Sequence, residues 1–104
     1  MTIYEQILDL LKGKEGCIIT ATSIKDDLKL KHGTNRDSTI PSDYCYNLIN
    51  DGIPFDKHVF EYIKWNTYKF HGENFPYTGK VMHQKKGIVG EWINGKKYLF
   101  DDRN

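Results

Sequence analysis

Side chains that make hydrogen-bonding contacts recur at helical spacing between Thr39 and Gly52. One side of such a helix would carry Ser42, Asp43, Tyr46, Asn47 and Asn50, and the other would carry the apolar residues Ile40, Tyr44, Leu48 and Ile49. Pro41 suits a first turn, where its missing N–H has no intrahelical partner, and Asp51-Gly52 is a stop signal. The pattern predicts a helix from Thr39 or Ser42 to Asn50 with a polar, aromatic contact surface.

Residue sets that would support catalysis or metal binding are missing from the sequence. The histidines are scattered, at His32, His58, His71 and His83, and no Cys/His set has the spacing of a zinc site. His58 and His71 would approach each other across a predicted hairpin, which we interpret as an incidental pair. Cys17 and Cys45 form no CxxC and are expected to be small buried residues. We therefore predict no enzymatic activity, no metal and no small-molecule cofactor.

Length and charge favour one domain, residues 1–104, with a modest core. The formal net charge is +1, but residues 1–51 hold six Lys and Arg against eight Asp and Glu, whereas residues 52–104 hold nine against six. The C-terminal half is thus the better candidate to face a polyanion. No stretch is apolar enough to span a bilayer and no signal-peptide pattern is present, so no membrane association and a cytoplasmic location are expected.

Helical patterns dominate the first half of the chain and strand patterns the second. Thr2 and Glu5 form a capping box before a first helix, and Thr20 or Thr22 would cap a second that ends at His32-Gly33. Residues 16–20 indicate a short strand or an extended linker between these helices. Later strands are predicted at residues 58–64, 67–71, 80–84, 88–93 and 96–100. Asn94-Gly95 matches a type I′ hairpin turn, and Trp65-Asn66 is a second tight turn.

The order helix, short strand, helix, helix, β-hairpin resembles the winged-helix variant of the helix-turn-helix over about residues 2–71. This gives an α+β fold, with an N-terminal three-helix winged-helix-like unit followed by β-hairpins in a small antiparallel sheet, about residues 79–100 forming the C-terminal extension. Three further segments, residues 40–47 with Gly52-Ile53, residues 72–79, and Gly90-Glu91-Trp92, are similar to small bacterial and phage modules, some of which accompany restriction endonucleases.

The winged-helix resemblance implies a nucleic-acid-binding module, with the third helix in the major groove of duplex DNA and the hairpin as the wing. The residues it places at DNA are Ser42, Tyr46, Asn47 and Asn50 on the helix, Arg36 and Lys31 beside it, and Lys64, Trp65, Asn66 and Lys69 on the wing. Asparagine can form a bidentate pair of hydrogen bonds with adenine, and Ser or Tyr hydroxyls can form hydrogen bonds with phosphate.

Charge argues for an alternative, a protein-interaction adaptor or inhibitor linked to a bacterial or phage defence or restriction system. The predicted third helix has no Lys or Arg and carries Asp43, which repels phosphate. Tyr and Trp, which are abundant here, are favoured anchors at protein interfaces. The main basic cluster lies instead on the last hairpins, at Lys80, Lys85, Lys86, Lys96 and Lys97, where lysines also protect sheet edges from aggregation.

Overall fold

The computed structural model describes residues 1–50 and 56–100 and has an α+β fold, as the sequence predicts. The elements in chain order are α1 (Ile3–Leu10), β1 (Ile18–Thr20), α2 (Ala21–His32), two 3-10 turns (Arg36–Ser38 and Pro41–Tyr44), β2 (Leu48–Ile49), β3 (Phe60–Lys64), β4 (Thr67–Phe70), β5 (Gly79–His83), β6 (Gly87–Ile93) and β7 (Lys96–Leu99). Neither α-helix of this part of the chain has the length and apolar run that crossing a membrane requires.

Both predicted N-terminal helices are confirmed, together with their caps. The Thr2 hydroxyl accepts from the Glu5 N–H at 3.1 Å, and the Glu5 carboxylate accepts from the Thr2 N–H at 2.8 Å. The Thr20 hydroxyl accepts from the Ser23 N–H at 3.1 Å, and α2 ends at His32, followed by the cap residue Gly33, whose φ of 69° suits a residue without a Cβ. These local hydrogen bonds fix where each helix begins or ends.

The helices cover a three-stranded antiparallel sheet of order β1-β4-β3. The short strand after α1 pairs with the second strand of the later hairpin, Ile18 opposite Lys69 and Thr20 opposite Thr67. The main core contains Tyr4, Ile7, Leu11, Ile24, Leu28, Tyr44, Cys45, Val59, Phe60, Tyr68 and Phe70. Packing α1 and α2 on this sheet therefore sets the position of the β3–β4 hairpin.

The prediction of a third helix ending at Asn50 is wrong. Only the 3-10 turn Pro41–Tyr44 is helical, and the chain is extended by Cys45, which bridges to Phe60 in parallel. The backbone then bonds to strands on both sides, the Tyr46 N–H donating to the Phe60 carbonyl at 2.8 Å and the Met82 N–H donating to the Asn47 carbonyl at 2.9 Å. These tertiary partners take the place of intrahelical bonds. The predicted Asp51-Gly52 stop lies outside the described residues.

A second sheet, of order β2-β5-β6-β7, contains the predicted C-terminal hairpins. Its strands β5, β6 and β7 are antiparallel, as predicted, whereas β2 pairs with β5 in parallel, so the expected single antiparallel sheet is corrected to two sheets. At the β6–β7 turn, Asn94 has φ 49° and Gly95 has φ 83°, which agrees with the predicted type I′ turn. A second core of Tyr46, Tyr77, Val81 and Trp92 joins this sheet to the preceding segment.

Candidate functional site

Tyr46, predicted to face DNA, lies inside the molecule and is 3% exposed. Its hydroxyl donates to the Gly72 carbonyl at 2.8 Å and accepts from the Phe75 N–H at 3.1 Å. Burial raises the pKa of this phenol, so it stays neutral and keeps both bonds. Tyr46 therefore anchors the loop after β4 and presents no group to a ligand in the major groove.

Asn47 is also occupied internally. Its side-chain amide donates to the Tyr62 carbonyl at 2.9 Å, and its side-chain oxygen accepts from the Tyr62 N–H at 2.8 Å. The amide thus behaves as an extra strand residue beside β3, at the point where the β3–β4 pairing shifts register. The side-chain donor and acceptor that would bind adenine are therefore both hydrogen-bonded to the protein backbone.

Ser42 and Asn50 lie close together, but Asp43 lies beside them. The Asn50 side-chain amide lies 2.8 Å from both the Ser42 hydroxyl and the Asp43 carboxylate, and its oxygen accepts from Gln84 at 2.9 Å. A carboxylate at the centre of this group repels phosphate. The pair remains partly exposed, yet its chemistry is unfavourable for a polyanion.

The two cations predicted beside the third helix are already paired. Lys31 lies 2.8 Å from Asp9 of α1, and Arg36 forms an ion pair with Asp26 of α2. Both pairs are partly solvated, so their net contribution to stability is small. They lower the positive charge that residues 31–36 offer to phosphate.

The tip of the β3–β4 hairpin brings together the remaining predicted residues. Asn66 has φ 60°, and its side-chain oxygen accepts from the Thr22 N–H at 3.2 Å and from the Thr22 hydroxyl at 3.3 Å, while its carbonyl accepts from the Ala21 N–H at 3.0 Å. The tip is thereby fastened to the start of α2. Trp65, next to this anchor, is 83% exposed, so a large aromatic ring is held in solvent by a fixed backbone.

Two lysines of the same hairpin lie on the solvent face of the first sheet. Lys69 and Thr67 lie on either side of the buried Tyr68 in β4, and Lys64 pairs with Thr67, so alternation places both lysines opposite the core. Within residues 1–50 and 56–100, neither lysine has a carboxylate within 4.0 Å. We call Lys64, Trp65, Asn66 and Lys69 the hairpin-tip surface. It is a basic, aromatic surface; Glu61 is the strand neighbour directly opposite Lys69, but its carboxylate contacts His71 at 2.8 Å and forms no ion pair with either lysine among the described residues.

Histidines surround Tyr46 in an arrangement that the sequence did not predict. The His58 and His71 rings lie 5.6 and 6.3 Å from the Tyr46 ring, and His71 also lies 2.8 Å from Glu61. The strand pattern predicted that His58 and His71 would approach each other. It did not predict that Tyr46 would lie beside both rings, because Tyr46 was predicted to lie on the surface of a helix. In the part of the chain described, no group of three or more His, Cys, Asp or Glu is placed to hold a metal.

The burial of His58 predicts a pH dependence of stability. Burial lowers its pKa below the ordinary 6.5, the Lys97 charge lowers it further, and the Cys45 carbonyl and Asp56 oppose this. The unfolded chain therefore takes up this proton first, so the stabilisation is complete above about pH 6.5 and is lost as the pH falls through the lower, folded-state pKa. Urea unfolding of wild type and His58→Gln across this range should show a smaller acid loss in the variant. Identical losses would contradict this role.

Comparison with known proteins identifies a family and one relative. A family model described as "Domain of unknown function (DUF7225)" matches residues 2–99. The chain is 52% identical over 104 residues to the Bacillus subtilis (strain 168) protein named "Uncharacterized protein YnaC", a match that covers 95% of this chain and 40% of that protein. The chain thus spans well under half the length of the curated relative it matches. No solved structure matches significantly.

Proposed function

This chain belongs to the DUF7225 domain family, and we propose that it is a small nucleic-acid-binding module that contacts duplex DNA through the hairpin-tip surface. The observation that carries the proposal is Trp65, 83% exposed at a turn that hydrogen bonds fix to α2, between Lys64 and Lys69. An exposed indole ring held on a fixed backbone can serve as a stacking platform for a base, and every base has a face on which it can stack. The neighbouring side chains of Lys64 and Lys69 carry positive charge.

Each part of the surface has a defined task in this proposal. Lys64 and Lys69 neutralise phosphates and release their counterions, which supplies affinity without sequence preference. The Trp65 ring stacks on a base or wedges between base steps from the minor groove. Asn66 fixes the turn, and its side-chain oxygen is already used by Thr22, so we assign it a positioning role.

The arrangement of the N-terminal unit supports a winged-helix-like origin for this surface. Two helices, a short strand between them and a later hairpin that pairs with this strand correspond to the scaffold and wing of that class. The segment where the recognition helix would lie is mostly extended and joined to the second sheet. In this proposal the wing therefore makes the principal contact and Ser42 and Asn50 lie at most at its margin.

Fluorescence anisotropy with labelled duplex and single-stranded DNA tests the proposal. At about 50 mM salt, where electrostatic binding is strong, wild type should bind, and Trp65→Ala should weaken binding at least about fivefold, the effect of losing one stacked base. Trp65→Phe, which keeps an aromatic face, should retain most of the affinity. Absence of binding to any duplex, or equal affinities for wild type and Trp65→Ala, would refute the function proposed.

A second function, protein interaction, is favoured by one face of the second sheet. Val81 and Trp92 are buried on the other face, and the side chains opposite them are each 45–51% exposed, namely Met82, Ile88, Ile93 and Tyr98. These side chains share their face with the Lys80–Glu91 ion pair and Lys96, and a face that mixes exposed apolar and charged side chains resembles a protein-binding surface with polar groups at its rim. A stably folded Met82→Ser/Tyr98→Ser variant that loses a partner recovered with wild type would favour this adaptor function over DNA binding.

A further inference from the structure

A cleft of about 240 Å³ lies between the start of α1, the loop after β4 and the second sheet, away from the hairpin tip. Aromatic rings and two carboxylates form much of its wall, including Tyr4, Phe75, Trp92, Asp56 and Glu73. The volume exceeds the roughly 30 Å³ of one liquid water several times over, so a ligand of several atoms fits.

The hydroxyl and indole N–H groups of the tyrosines and the tryptophan in this wall already form hydrogen bonds within the protein. The Tyr4 hydroxyl donates to one Glu73 oxygen at 2.7 Å, and the Trp92 indole N–H donates to the Tyr46 carbonyl at 2.7 Å. The Tyr46 hydroxyl is occupied by backbone groups on both sides. Beside Lys57, His58 and Asn74, which also line the cleft, it offers a ligand ring faces and carboxylate oxygens, and these together favour a cation with N–H donors.

Two lysines already use the rings in this way. The Lys57 ammonium lies 5.4 Å from the centre of the Tyr4 ring, and the Lys97 ammonium lies 6.0 Å from the centre of the Trp92 ring. Both distances fall within the range of about 6 Å for cation–π contacts. Among the described residues, Asp56 and Glu73 form no ion pair with either lysine. Lys57 and Lys97 therefore contact the aromatic rings, and neither forms an ion pair with the two carboxylates of the cleft.

We propose that this cleft binds the guanidinium group of an arginine, stacked on the Tyr4 ring where Lys57 now lies and donating to Glu73 and Asp56. Guanidinium suits the site better than ammonium because it is planar, weakly hydrated and has donors in a fork that fits carboxylates. The inference is independent of DNA binding, because the cleft lies at the Phe60 end of β3 and the hairpin tip lies at its Lys64 end.

Tryptophan fluorescence provides the test, because the chain has two tryptophans and Trp65→Phe leaves Trp92 in the cleft wall as the sole reporter. N-acetyl-arginine amide should change Trp92 emission saturably. N-acetyl-citrulline amide, which has nearly the same shape without the charge, should bind at least about tenfold more weakly, as expected when a charge-assisted contact is lost.

Two variants of opposite expected sign complete the test. Glu73→Gln keeps an oxygen that can accept from Tyr4 but removes the charge, and should weaken arginine binding about tenfold with an unchanged melting temperature. Lys57→Ala removes the competing internal cation and should tighten it. Equal binding of the arginine and citrulline compounds would overturn the proposal, as would undiminished binding by Glu73→Gln. So would no saturable change up to about 10 mM, ten times a millimolar Kd.

Discussion

Replacing Asn47 by alanine should lower the free energy of unfolding by about 2 kcal/mol or more, because it leaves two Tyr62 backbone groups without partners at a part-buried site. The cost of an unsatisfied donor or acceptor exceeds the net contribution of the bond itself. Urea unfolding followed by circular dichroism measures the change directly. This effect is expected whether or not DNA is present.

Asn50→Ala is the matched control for this prediction. Asn50 is the same residue type, three positions later, but among the described residues its side chain bonds to other side chains, at 2.8–2.9 Å, and solvent can replace these bonds. We expect its effect to remain within about 1 kcal/mol. If both variants had wild-type stability and both weakened DNA binding, the segment would be a recognition surface after all, and the internal role of Asn47 would be wrong.

The double variant Lys64→Gln/Lys69→Gln should weaken binding to duplex DNA at least about tenfold at ~50 mM salt. Each lysine that neutralises one phosphate contributes about 0.9 to the slope of log affinity against log salt, so the slope should fall by about 1.8. Anisotropy titrations over a series of salt concentrations provide both numbers. The reduction in slope distinguishes lost phosphate contacts from a loss of folded protein.

Lys12→Gln/Lys14→Gln controls for the change in net charge. These lysines follow α1 and are exposed, and the backbone just after them bonds to Phe70, at the end of β4 remote from the tip. The control should retain the wild-type salt slope. An equal reduction of slope in both double variants would mean that DNA responds to overall charge, and would contradict a contact localised at the hairpin tip.

Local signals made much of the fold predictable. The Thr2 capping box, the Thr20 cap and the Asn94-Gly95 turn each act through residues a few positions apart, and the structure contains all three. Alternation and turn residues likewise predicted the later strands to within a few positions. The parallel pairing of β2 with β5 was not predictable in this way, since it joins segments more than 30 residues apart through two residues.

The candidate site was harder to predict, because residues 40–50 satisfy a helical pattern by coincidence. Tyr44, Cys45 and Tyr46 are buried in succession because their segment lies between β3 and β5, and a short run buried on two sides has no diagnostic period. The polar residues assigned to a helix surface instead satisfy neighbouring strands. On the hairpin, where the strand prediction was correct, Lys64, Trp65, Asn66 and Lys69 do come together.

We propose that DNA contacts the hairpin tip. Amide chemical-shift mapping of ¹⁵N-labelled protein, titrated with a short duplex at low salt, tests this most directly. If DNA contacts the tip, the largest shifts should fall on Ile63–Lys69 and on Thr22, which is hydrogen-bonded to the tip. Largest shifts on Ser42–Asn50, with the tip unchanged, would contradict it.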